Sequence, residues 1–178
     1  MAREFLTRGY DATTMEHLAG ATGMTKSSIY HHVASKEQLL QLAVSRALDA
    51  LFAVLDEPRS TDGPAVDRLQ HVVRRSAEVL DAQLPYVTLL LRIRGNTPVE
   101  REALGRRREF DARLSALVQS AIEQGGVRAD LDPRLVTRLL FGMVNSVAEW
   151  YRPGGATASA EVADAVVALA FDGLRRAT

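Results

Sequence analysis

Apolar residues recur along this chain at spacings of three and four, and no segment alternates as a half-buried strand does. The pattern predicts an all-α protein. Phe5 and Leu6 mark a helix over residues 2–8 that stops at Gly9, and two turns being marginal alone, its first half is expected upstream of Met1. Thr13 and Glu16 have capping-box spacing, and Met15, Leu18 and Ala19 give the next helix an inward face. Gly23 sits where a tight turn wants positive φ, and Thr25 is placed to cap a second short helix whose Ile29 and Val33 face inward. Ser35 and Gln38 repeat the capping spacing. From there Leu39, Leu40, Ala43, Ala47, Leu48, Leu51, Phe52 and Leu55 keep helical period until Pro58.

Residues 57–64 have turn composition and read as a linker, with Asp62 as the expected N-cap of the helix after it. That helix carries Leu69, Val73, Ala77, Leu80 and Leu84; residues 86–93 are apolar almost all round. Thr97, Pro98 and Glu100 open a long helix with Leu104, Phe110, Leu114, Leu117, Ala121 and Ile122 inward, closed by Gly125-Gly126. Asp132-Pro133 opens another, apolar over more than half its circumference up to Trp150-Tyr151. Val162, Val166, Leu169, Ala170, Gly173 and Leu174 form the last. The domains expected are a helix-turn-helix unit over residues 1–48 and a helical regulatory unit over 49–178.

The short helix after Gly23 carries the chemistry. Lys26, Ser27, Tyr30 and His31 lie opposite Ile29 and Val33, and such donors suit phosphates and guanine acceptors in a major groove. Lys36 follows Ser35 at a helix start, where backbone N–H groups already favour a phosphate. We place Thr14, Met15, Thr25, Lys26, Ser27, Ser28, Tyr30, His31, His32, Ser35 and Lys36 against double-stranded DNA.

Composition narrows the alternatives. Lys plus Arg equals Asp plus Glu at 22 each, so no global field draws the chain to nucleic acid and any DNA contact must be local. Cysteine is absent, which excludes disulfides, thiolate catalysis and cysteine-ligated zinc. His31 and His32 are adjacent on one helix and do not converge, so no metal site is expected, and no cofactor. Glycine-rich phosphate loops, Gly-x-Ser-x-Gly and His-Glu-x-x-His are missing, which argues against an enzyme. A purely architectural bundle leaves the polar stripe unexplained. No signal segment or membrane span is read from the sequence, and the expected compartment is the cytoplasm.

Gly9-Tyr10, Thr13-Thr14, Leu18-Ala19, Gly23-Met24-Thr25, Ile29-Tyr30, His32 and Ser35-Lys36-Glu37-Gln38-Leu39-Leu40 resemble, in order and spacing, the tetracycline-repressor-like (TetR-type) regulators. Val33 departs from the phenylalanine common there. The resemblance implies a three-helix DNA domain, a long connecting helix, a divergent ligand domain, a palindromic operator and a homodimer through the last two long helices, at residues 132–151 and 162–174 here. Trp150-Tyr151-Arg152-Pro153-Gly154-Gly155 is similar to an ending found in members that control fatty acid, steroid or phenylacetate breakdown, several sensing acyl-coenzyme A.

The expected effector site is an apolar cavity surrounded by Tyr86, Leu89, Leu90, Ile93, Phe110, Leu114, Leu117, Phe141 and Val144, with Asn145 or Glu149 orienting a small apolar ligand. If the ligand is an acyl-coenzyme A thioester, Arg106, Arg107 and Arg108, with Arg92 or Arg94, are the expected partners of its phosphates.

Overall fold

The structure, a computed structural model, describes residues 1–155 and 158–174, and gives positions 26, 32, 173 and 174 by backbone alone. Every regular element among the described residues is a helix. α1 (Ala2–Arg8), α2 (Met15–Thr22) and α3 (Lys26–His32) precede α4 (Lys36–Leu55). They are followed by α5 (Pro58–Thr61), α6 (Ala65–Ala82), α7 (Leu84–Arg92), α8 (Pro98–Glu123), α9 (Pro133–Trp150) and α10 (Ser159–Leu174).

Local signals set the helix ends, with shifts of one residue. Gly23 takes φ 68, and Thr25 Oγ1 accepts the Ser28 N–H at 3.1 Å, both as expected. The cap of α2 is Thr14 with His17, not Thr13 with Glu16. Thr13 is buried because its hydroxyl donates to the Gly9 carbonyl at 2.6 Å, closing the end of α1 instead. Glu100 likewise reaches past Thr97 and accepts from the Gly95 and Asn96 N–H groups at 2.9 and 2.6 Å.

The expected linker is a packed corner. α5 lies within it, its Ser60 buried and donating to the Val54 carbonyl at 2.5 Å. Asp62 caps nothing ahead of it; the first N–H of α6, on Ala65, is taken by the Gln124 side chain at 2.7 Å. Glu57 at the same corner accepts from His71 at 2.6 Å and from Arg75. Although burial opposes it, those hydrogen bonds hold its carboxyl below the usual carboxylate range.

α6 is the axis of the C-terminal half, in contact with α4, α5, α7, α8, α9 and α10. Its Leu69, Val72, Val73 and Leu80 are fully buried, each contributing about 1.5–3 kcal/mol by removal from water. α4 packs on α6, α7 and α8, so it is built into this half. α4 also has the length and mean hydropathy, 1.4, of a membrane span, against the expectation that no stretch reaches them. Its Leu39, Leu40, Val44 and Leu48 are buried inside the protein instead. The buried side chains form one continuous cluster from Ala2 to Phe171.

Candidate functional site

Two surfaces stand out, one on α3 and one between α8 and α9. α3 is short, and its orientation comes from Ile29 and Val33, which are buried in the core cluster as the helix packs on α2. That fixes the opposite side toward solvent. Thr25, Ser27, Tyr30 and His31 are exposed there, and Tyr30 keeps 48% of its surface. Ser28 is half-buried. The backbone puts Lys26 at the first helical position and His32 at the last; their side chains lie outside the described residues. Ser35 caps α4, accepting the Gln38 N–H at 3.1 Å.

Three members of the expected DNA set are placed otherwise. Met15 is 8% exposed and belongs to the core, on the inward face of α2 with Leu18 and Ala19. Thr14 is exposed, yet its hydroxyl and N–H are both engaged by His17. Lys36 points back into the protein. Its ammonium donates to the Tyr10 carbonyl at 2.7 Å and the Asp11 carbonyl at 3.3 Å and lies 4.3 Å from the centre of the Tyr10 ring. Burial, with the carboxylates of Glu37, Asp11 and Glu100 around it, raises the Tyr10 pKa, which keeps that ring neutral beneath the lysine.

Lys36 is therefore a tie between α4 and the α1–α2 loop. Lys36→Met is expected to cost about 1.5–3 kcal/mol in stability, the range for hydrogen bonds from a charged group, while the slope of log affinity against log salt stays at its wild-type value. Thermal melts and salt titrations of DNA binding measure both; a slope shallower by about one would restore the phosphate role.

The second surface is a groove of about 1050 Å³ between α8 and α9. Its walls are Arg107, Arg108 and Asp111 on α8 and Arg134, Arg138 and Asn145 on α9. Its floor combines Phe141 with the Ser115–Thr137 hydroxyl pair, 3.1 Å apart. Arg107 donates to the Leu90 carbonyl at 3.4 Å, whereas Arg108, Arg134 and Arg138 make no hydrogen bond within the described residues. Desolvation in the groove raises the Asp111 pKa against the pull of Arg107 and Arg138. Four arginines against Asp111 and Asp132 leave the lining cationic.

This is not the expected cavity. Of the ligand residues read from sequence, only Phe141 and Asn145 border the groove. Leu89, Leu90, Ile93, Phe110, Leu114, Leu117 and Val144 are packed as core, since α7 lies on α1, α4, α6 and α9, and α8 on α4, α6 and α9. Tyr86 is half-buried under the Arg46 guanidinium at 4.6 Å, and Glu149 is exposed on the far end of α9. Arg92 and Arg94 are exposed away from the groove, and Arg106 is paired to Asp49 at 2.6 Å. Sequence reasoning missed Arg134 and Arg138, whose spacing of four on the first turns of α9 was the available signal.

Beside the groove, Leu135, Leu139 and Trp150 stand on the outer side of α9 at 47%, 61% and 56% exposure, and Leu169 on α10 at 73%. That is more apolar surface than one protomer covers, as the sequence of α9 indicated. Ala170, expected at a dimer surface, is instead buried in its own protomer, and Gly173 lies outside the described side chains.

Comparison with known proteins agrees with this architecture. Residues 2–43 match the family described as bacterial regulatory proteins, tetR family, and residues 62–174 match the tetracyclin repressor-like C-terminal domain. The crystal structure of SCO3833 from Streptomyces coelicolor A3, a TetR-family regulator, is 59% identical, with a TM-score of 0.90 over 98% of this chain and 89% of that one. The transcriptional repressor KstR2 of Rhodococcus jostii is 29% identical over 96% of this chain and 85% of its own. AibR, solved with isovaleryl coenzyme A and operator DNA, is 26% identical, with a TM-score of 0.81 over 96% of this chain and 93% of that one.

Proposed function

The chain belongs to the TetR family of bacterial regulatory proteins, and from that premise we propose that it is a homodimeric, cytoplasmic repressor whose α3 reads an operator and whose α8–α9 groove takes an acyl-coenzyme A effector. It acts by binding, not catalysis. The observation that carries the effector reading is the surplus of arginines in one groove, where Arg107, Arg108, Arg134 and Arg138 stand against Asp111 and Asp132 and neither Arg108 nor Arg134 makes a hydrogen bond within the described residues. Clustered cations in excess of the carboxylates beside them repel one another, and a phosphate-bearing ligand relieves this through charge-assisted bonds. The floor has room for a modest acyl group at Phe141, with Asn145 and the Ser115–Thr137 hydroxyls as orienting partners. AibR, of the same fold, was solved with such a thioester, which supports the choice.

The dimer must hold its two α3 helices about 34–36 Å apart to enter successive major grooves. A ligand shifts that spacing only by preferring the wrong-spaced state, and a hundredfold preference corresponds to about 2.7 kcal/mol.

The test uses a duplex selected from a random pool for tight binding. Isovaleryl-coenzyme A is expected to release it, free isovalerate to leave it bound, and Arg138→Ala to raise the thioester concentration needed about tenfold, one charge-assisted bond's worth. Release by the free acid alone, or by neither compound, removes the coenzyme A reading.

A further inference from the structure

We propose that a row of three aromatic rings, Phe141, Phe110 and Phe52, transmits the state of the α8–α9 groove to α4 and thence to α3; the proposal rests on reading that groove as the effector site. Phe141 borders the groove. Its ring meets Phe110 edge to face, with centroids 5.4 Å apart and planes at 79°. Phe110 meets Phe52 of α4 in the same manner, at 5.6 Å and 73°. Offset stacked rings can slide past one another, but an edge set against a face passes a push straight on, because the repulsive wall along that line is steep. Phe110 is 4% exposed and surrounded by core, so it has no free volume in which to absorb the displacement.

What Phe52 does with the push is set by its flanks. Arg106 and Arg113, seven residues apart on α8, lie 5.4 and 5.9 Å from the centre of its ring. They pair with Asp49 on α4 and Asp56 at its C-cap, seven residues apart, at 2.6 and 2.8 Å. These two rungs hold α4 in register along α8 while leaving the Phe52 contact between them to set its distance. A displaced Phe141 therefore tilts α4 about the rungs instead of sliding it. The other end of α4 buries Leu39, Leu40 and Val44 and follows α3 after residues 33–35, where the Ala34 N–H is held by the Gln38 side chain at 2.6 Å, so tilt becomes movement of the recognition surface. On α8 the groove residues Arg107, Arg108 and Asp111 alternate with the α4-facing Arg106, Phe110 and Arg113, and one helix thus touches both the ligand site and the connecting helix.

A double-mutant cycle tests the relay without any ligand. Affinity for the selected duplex is measured for wild type, Phe141→Leu, Phe52→Leu and the double variant, with Phe→Met at both positions as a second cycle should a leucine variant lose helicity. The double variant's affinity is expected to differ from the product of the single effects by at least threefold. A purely structural role predicts lower melting temperatures with multiplicative affinities, and that result overturns the relay. In a second arm, Phe52→Leu, remote from groove and DNA, is expected to bind isovaleryl-coenzyme A by calorimetry as wild type does, yet to need at least fivefold more of it for duplex release. Wild-type release sensitivity in Phe52→Leu would also overturn the relay. If wild type itself does not bind the thioester, the effector reading fails and the ligand-free cycle still decides the relay.

Discussion

Leu139→Arg is expected to convert the protein to a monomer that binds its operator at least a hundredfold more weakly, with helicity and melting temperature of the monomer unchanged. Leu139 is 61% exposed in the protomer, so a charged side chain there meets water and disturbs no internal packing. Against a second copy the same arginine must be desolvated among Leu135, Trp150 and Leu169 and their symmetry mates, without a partner for its charge. The loss on DNA follows from multivalency, since two linked half-site contacts exceed one by about 10²–10⁴. Light scattering reads the mass and fluorescence anisotropy reads the affinity. A persistent dimer would move the interface away from α9 and α10. Ala170→Arg provides the contrast, because Ala170 is buried in its own protomer and its replacement should lower the melting temperature first.

The Tyr30→Ala/His31→Ala double variant should bind the selected operator about a hundredfold more weakly while its affinity for random duplex stays within about threefold, as loss of base-edge contacts of about 1–3 kcal/mol each requires. Both side chains are exposed and neither supports Ile29 or Val33, so α3 itself should survive. The salt slope is expected to be unchanged, because neither substitution removes a lysine or an arginine. Equal weakening on operator and random duplex would assign this face to backbone positioning and require another reader.

These two surfaces were legible in the sequence to different depths. The α3 stripe follows from positions one to four residues apart. Gly23 turns, Thr25 caps, Ile29 points inward, and Tyr30 and His31 are then outward whatever the rest of the chain does. The apolar surplus of α9 was legible in the same way, as a helix with more leucine than one seam can use. The effector surface was not. The run over residues 86–93 reads equally as core or as cavity wall, and only the packing of α7 on α1, α4, α6 and α9 closes it into core.

The sequence alone determined the helices, their order, most of their caps and the solvent side of α3, because hydrogen bonds between residues three and four apart, and one apolar stripe per helix, decide those features. Tertiary structure decided what the long polar side chains meet. Lys36 reaches carbonyls 26 and 25 residues away, Gln124 caps a helix 59 residues before it, and Arg106 and Arg113 each find an aspartate 57 residues back. A flexible cationic stem has no preferred partner at short range. Which carbonyl, carboxylate or open groove it meets depends on how the helices cross, and the hydrophobic faces that set those crossings are non-directional, so the charged groups on their borders are placed only once the core has packed.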